Sequence, residues 1–232
     1  MGADVPKPLV PIAGKPMVVH LLENVKGSGL DARPVLVVAP DTKALFEAAV
    51  EMDVDYAIQD KQLGTGHAAA SARDFVQDAD TVLVLYGDHP FISAEVMRTI
   101  AKRHTENGAT ITMLTCTVPD FTGDYAAVAS WSRIVRGSNG YVVKDVQSKD
   151  ATPEELEIKE VNPCIFMFDR KWMYERLPML QNSNAQGEYY LTDLLQMAVQ
   201  EGLKISTAPA DVFEVIGVNT KEELERAEKL IS

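Results

Sequence analysis

An aspartate closes the string Leu83-Val84-Leu85-Tyr86-Gly87-Asp88. A carboxylate just past an apolar strand can hold a divalent cation such as Mg²⁺, which bridges phosphate oxygens and neutralises charge during phosphoryl transfer. The same aspartate can equally serve its own turn by bonding nearby backbone, and spacing alone does not choose. Lys7 sits between Pro6 and Pro8. The flanking rings stiffen the chain and aim the ammonium, a point charge that suits phosphate, although most lysines are simply solvated. Gln62-Leu63-Gly64-Thr65-Gly66-His67 sets a glycine turn before a helix. Its backbone can approach a base or sugar closely, with the Gln59 amide placed to read a base edge. A lone Gly-x-Gly is a weak motif, and His67 reads as structural. Asn162 begins an apolar run and Asn219 closes Gly217-Val218-Asn219; each is a ligand or a turn former. The pair Tyr189-Tyr190 covers a sugar face or, more simply, packs at a helix start. Ser-His-Asp order, Cys-x-x-Cys and His-Glu-x-x-His are all absent, so hydrolytic and zinc chemistry find no support.

These residues need elements to hold them. Met17, Val18, Leu21, Leu22 and Val25 recur at helical spacing, predicting a helix over 16–26 ended by Gly27 and Gly29. Pro34 to Val38 predicts a buried strand, Asp41 or Thr42 caps a helix carrying Leu45 and Phe46, and Tyr56 to Ile58 is a strand. Thr81 to Leu85 is continuously apolar, as in a parallel sheet covered on both faces. A helix from Ser93 to Thr105 stops at Asn107-Gly108, and Ala109 to Val118 returns as a strand. Alternating strands and helices predict a doubly wound, mostly parallel sheet, with ligands beyond the carboxyl ends of its strands. Beyond Pro119 the pattern changes. Val128–Val135 and Tyr141–Val146 predict a β-hairpin overlying the sheet. Residues 150–158 read as an exposed loop, Val161–Phe168 as a strand, Tyr190–Val199 as a helix and Ile205–Ile216 as one or two strands. Thr220 and Glu223 form a capping box for a last helix through Leu230.

Composition narrows the partners. The 232 residues carry a net charge of −12 without a basic cluster, which argues against a nucleic-acid backbone but not against a small anionic substrate. Cys116 and Cys164 read as free thiols in apolar surroundings. No apolar run is long enough to cross a membrane, and the expected location is the cytoplasm.

Pro6-Lys7-Pro8-Leu9, Ala13-Gly14-Lys15-Pro16-Met17, Gln62 to His67, Tyr86-Gly87-Asp88, Lys149-Asp150-Ala151-Thr152, Glu160-Val161-Asn162, Asn184 to Tyr190 and Gly217-Val218-Asn219 run in one order along nearly the whole chain. Together they resemble the sugar-1-phosphate nucleotidyltransferase family, in particular the uridyltransferase domains that open the bifunctional bacterial enzymes making UDP-N-acetylglucosamine. The resemblance implies a three-layer Rossmann-like α/β fold in one domain over 1–232, with a nucleotide-binding half (1–118) and a sugar-binding half (119–232). It implies transfer of uridylyl from UTP to N-acetylglucosamine 1-phosphate with release of pyrophosphate, and Mg²⁺ as cofactor. By the same likeness Asp88 and Asn219 hold the metal and Lys7 faces the phosphates. Gln59, Gly64 and Thr65 contact uracil, Tyr86 and Gly87 line the same pocket, and Asn162 contacts the sugar.

Departures from the family pattern are specific. The chain as given opens at the methionine of the family's Gly-Thr-Arg-Met string, so the resemblance places a strand and a phosphate loop before Met1. A sugar-binding glycine falls at Ser132, a sugar-binding glutamate at Gln147, and Asn-Thr-Gly has become Asn162-Pro163-Cys164. An amide in place of a carboxylate grips a hydroxyl donor less strongly. The expectations are therefore weak turnover by these residues, or a catalytically impaired protein that binds a sugar nucleotide. A sheet lacking a central member exposes unpaired edges, which neighbouring strands should close or a second chain cover in a homo-oligomer.

Overall fold

The computed structural model describes residues 5–184, 186–218, 220 and 223–225. A short ribbon, β1 (Pro11–Ile12) and β2 (Lys15–Pro16), turns through Ala13 and Gly14 at positive φ. Strand and helix then alternate: α1 (Met17–Ser28), β3 (Val35–Val38), α2 (Lys43–Ala49), β4 (Asp55–Ile58), α3 (Thr65–Ser71) and β5 (Thr81–Val84). In α4 (Ala94–Asn107) both ends are set locally. Ser93 Oγ accepts from the Val96 N–H at 3.3 Å, and Gly108 at φ 51° takes the left-handed turn that stops the helix. β6 (Ile111–Thr117), β7 (Arg133–Arg136), β8 (Val142–Val146), α5 (Pro153–Leu156), β9 (Glu160–Val161) and β10 (Phe166–Asp169) follow. α6 (Arg170–Arg176), α7 (Asp193–Gln200), β11 (Ile205–Pro209) and α8 (Val212–Val215) complete the order.

Seven strands form one sheet in the order β5-β10-β6-β9-β7-β8, with β11 beside β6. Side chains alternate across β6. Ile111 and Met113 pack with Phe166, Phe168 and helices α6 and α7, whereas Leu114 and Cys116 face Leu21, Met97 and Ile100 of α1 and α4. Alternation thus puts a helical layer on each face, giving the three expected layers.

Direction within the sheet differs from expectation. Only β11 runs parallel to its neighbour; β10 is antiparallel to β5 and β6, and β9, β7 and β8 pair antiparallel in turn. An apolar run records that both faces of a strand are covered and says nothing of its direction. Nor does the hairpin β7–β8 overlie the sheet, because Val161 of β9 pairs with both Arg133 and Cys116 and stitches it to the edge.

The nucleotide half also departs. Among the described residues, β3 and β4 pair, in parallel, only with each other, and β5 pairs only with β10. Among the described residues, one edge of β3 and one of β5 therefore carry no strand, and neighbours do not close the gap. β5, predicted to be buried, is only half-buried throughout.

Several local expectations are corrected by short-range bonding. Residues 123–130 form 3₁₀ turns, so the strand expected over Val128–Val135 begins only at Arg133. The segment 150–158 contains α5, capped by a Thr152–Glu155 box. A break at Cys164 (φ 63°) separates β9 from β10, and Asp211 caps α8 where strand was expected. Thr42 precedes α2 but bonds Ala39 instead of capping it. The predicted Thr220–Glu223 box is present, with bonds of 2.9 and 3.1 Å; its helix beyond residue 225 lies outside the described residues. No helix among those described is long and apolar enough to cross a membrane.

Candidate nucleotide and acceptor site

Three successive strands deliver the candidate residues at their carboxyl ends, as the doubly wound pattern requires. Beyond β3 come Ala39 and Asp41, beyond β4 comes Gln59, and beyond β5 come Tyr86, Gly87 and Asp88. A cavity of about 530 Å³ opens there, lined by Lys7, Val38, Asp41, Phe46, Gln59 and Gln62. A second, of about 360 Å³, is lined by Tyr86, Asp88, Trp131, Ser132, Gln147 and Asn162. Lys7 belongs to the first and Asp88 to the second, and the Lys7 ammonium is bonded to Asp88 Oδ2. The two cavities meet at this ion pair.

The chain is shaped to make that meeting. Lys7 to Leu9 forms a 3₁₀ turn closed by the Leu9 N–H on Pro6 O at 2.8 Å. Pro8 then lies flat against Gly87, where an added Cβ would stand 3.0 Å from the proline ring. Glycine before Asp88 thus lets the Lys7 turn seat beside the carboxylate.

Gln59 is fixed in the first cavity. Its Nε2 lies 3.1 Å from both Gly64 O and His67 Nδ1, which leaves the amide oxygen for a base edge. His67 thus helps hold the Gln59 side chain. The glycine turn makes a close approach within the protein. Gly64 takes φ 107°, and a Cβ there would come within 2.7 Å of Tyr189 O. The close approach is to the chain itself: Tyr189 N–H donates to Leu63 O and Gly66 N–H to Tyr189 O, both at 2.8 Å. Thr65 Oγ1 accepts from Leu191 N–H at 3.0 Å. Neither Gly64 nor Thr65 lines either cavity. Tyr189 packs into the core, the simpler of its two readings.

Tyr86 lines the second cavity and not, as the resemblance implied, the one holding Gln59. Burial pushes its phenol well above the usual value. Asn162 is buried in the floor of that cavity. It donates from Nδ2 to Asp145 Oδ2 at 2.9 Å and accepts from Cys164 N–H at 2.7 Å, leaving one amide hydrogen for a ligand. Asp145, absent from the sequence reading, lies beneath it; burial raises its carboxyl. Burial likewise pushes the Cys164 thiol to about 12, so this free cysteine stays protonated. Ser132 is buried and Gln147 exposed at the rim. Arg133 braces the wall, donating to Ala129 O at 3.0 Å and to Trp131 O, with its guanidinium 4.1 Å from the Phe121 ring centroid. Trp131 and His89 also line the cavity; adjacency to Ser132 and Asp88 was their only signal in the sequence.

Asn219 lies outside the described residues. The described residues before it reach the second cavity: Val218 N–H donates to Asp88 O at 2.9 Å and Gly217 lines the cavity. No cluster of three His, Cys, Asp or Glu exists among the described residues. A lone carboxylate at the junction suits a hard cation such as Mg²⁺, for which water and substrate phosphates would supply the remaining oxygens.

A MobA-like NTP transferase domain matches residues 1–194. The chain belongs to this family and is a nucleotidyltransferase. Among its relatives are proteins named bifunctional protein GlmU. That of Exiguobacterium sibiricum is 39% identical over 230 residues, covering 98% of this chain and 49% of the relative. That of Cupriavidus taiwanensis is 40% identical over 232 residues, covering 99% and 49%. The chain thus spans about half the length of the curated relatives it matches. In fold it is similar to a CMP:2-keto-3-deoxy-manno-octonic acid synthetase complexed with CTP, at TM-score 0.75 and 20% identity, covering 99% of this chain and 94% of the other.

Proposed function

We propose that this chain joins a nucleoside triphosphate in the Gln59 cavity to a sugar 1-phosphate in the Asn162 cavity, with UTP and N-acetylglucosamine 1-phosphate as the pair and UDP-N-acetylglucosamine and pyrophosphate as products. The observation that carries this is the Lys7–Asp88 pair at the junction of the two cavities. The similarity to GlmU proteins supports the choice of substrates.

An oxygen of the sugar phosphate attacks the α-phosphorus; that P–O bond forms as the bond to pyrophosphate breaks. The nucleophile is already an anion, so no side chain need take a proton. Catalysis reduces to alignment and charge neutralisation. Lys7 supplies a fixed positive charge on the nucleotide side. Asp88, with Asn219, would hold Mg²⁺, whose chemistry is to neutralise the phosphate oxygens. Gln59 offers its oxygen to the base, and Asn162 its remaining N–H to the sugar.

Lys7 is the one cation among the described lining of the first cavity. Slow turnover is therefore expected from these 232 residues by themselves. Pyrophosphate release should need UTP, the sugar phosphate and Mg²⁺ together. Equal release with CTP or ATP, or without the sugar phosphate, would contradict the assignment. The second reading, binding without turnover, draws support from Ser132, Gln147, Pro163 and Cys164 in the second cavity, where the sequence departs from the family pattern. Calorimetric binding of UDP-N-acetylglucosamine with no pyrophosphate release would favour it.

A further inference from the structure

His89 is a cavity-lining group that the mechanism leaves unused. It follows Asp88 on a turn closed by its own N–H on Tyr86 O at 3.0 Å. Its ring tilts against Tyr86 with centroids 5.5 Å apart, and its side chain is 14% exposed. Nδ1 is enclosed and makes no bond of ordinary geometry, and the Val215 main chain lies near the ring. Nε2 faces Asp88 Oδ1 at 3.7 Å, too far to share a proton. Lys7 occupies the other carboxylate oxygen. Two donor atoms of opposite softness are thus held side by side at the cavity wall.

A divalent ion stands about 2.1 Å from an imidazole nitrogen or a carboxylate oxygen, so one ion spans this gap after a small side-chain rotation. We propose that His89 is a nitrogen ligand beside Asp88 for the divalent ion of this site, so that the site takes Mn²⁺ in preference to Mg²⁺. Mg²⁺ demands oxygen, whereas imidazole suits the first-row transition ions. The inference rests on the metal reading of Asp88 above and adds a ligand and a preference to it.

Pulsed EPR on the 232-residue protein with Mn²⁺ and UTP tests it without turnover. The expected result is ¹⁴N modulation from a coordinated imidazole, lost in His89→Val and His89→Gln. Competition of Mg²⁺ against bound Mn²⁺ should show the Mn²⁺ preference falling about tenfold in both variants, with Tm confirming that they fold. If a variant fails to fold, the wild-type modulation decides alone. Mn²⁺ that binds, depends on Asp88 and shows no nitrogen coupling would overturn the His89 assignment and leave the metal site standing. Absence of Mn²⁺ binding even with UTP would sink both.

Discussion

Exchange of Asp88 for asparagine keeps the side chain's shape and removes its charge. Pyrophosphate release should fall about 10²-fold or more, the scale of losing one preorganised electrostatic contact, with Tm nearly unchanged. An Asp88→Asn protein with undiminished release would show the aspartate to be only a turn former. Gly87→Ala probes the same point from behind. Its methyl would crowd Pro8 at 3.0 Å and move the turn that carries Lys7. Pro8 must give by a few tenths of an ångström, so the rate should fall several-fold, less than the about 10²-fold cost of a misplacement of about 1 Å. A normal rate in Gly87→Ala would mean that Lys7 is not positioned by this contact. At this scale the sequence was informative where a residue's chemistry was unusual for its setting: Lys7 between prolines, Asp88 after an apolar strand. It was silent on Asp145, whose role depends on Asn162 from another strand, and on which cavity receives Tyr86.

Between elements, the glycine turn at the start of α3 clamps the 188–191 segment. Gly64→Ala forces a side chain into φ 107° and against Tyr189 O. It should cost on the order of 3 kcal/mol, measured by urea unfolding; a loss below about 0.5 kcal/mol would show the clamp to be soft. A lone Gly-x-Gly could not reveal this, since a turn that admits a ligand and one that admits a neighbouring chain have the same sequence. Beneath the second cavity, burial raises the Asp145 carboxyl above its ordinary value of 3.8. The native state then binds the proton more tightly than the unfolded chain does. Its contribution is fully present below pH 3.8 and declines as pH rises through the raised folded value. Asp145→Asn removes that decline, so its Tm relative to wild type should climb from pH 4 to pH 7. A difference that stays flat would mean the carboxyl is not desolvated in solution.

For the whole molecule, helix–strand alternation carried the layers, and the capping signals at Ser93, Gly108 and Thr220 carried local boundaries. Strand direction and the stitching of β7–β8 to β6 escaped, because pairing over long separations leaves no local periodicity. The open edges of β3 and β5 expose main-chain donors. In the 232-residue polypeptide, edge amides of Val35–Val38 and Thr81–Val84 should exchange with solvent much faster than those of β6. Exchange at β5 should slow with protein concentration if a second copy covers the edge. Equal protection of β5 and β6 in the dilute monomer would contradict the open-edge description.

The account turns on metal-assisted binding at the junction of the two cavities. Calorimetry of UTP binding, with and without Mg²⁺, to wild type and Asp88→Asn tests it most directly. Tighter binding with Mg²⁺ in wild type, lost in the variant, is the predicted result. Mg²⁺-independent binding that is identical in the two proteins would contradict it.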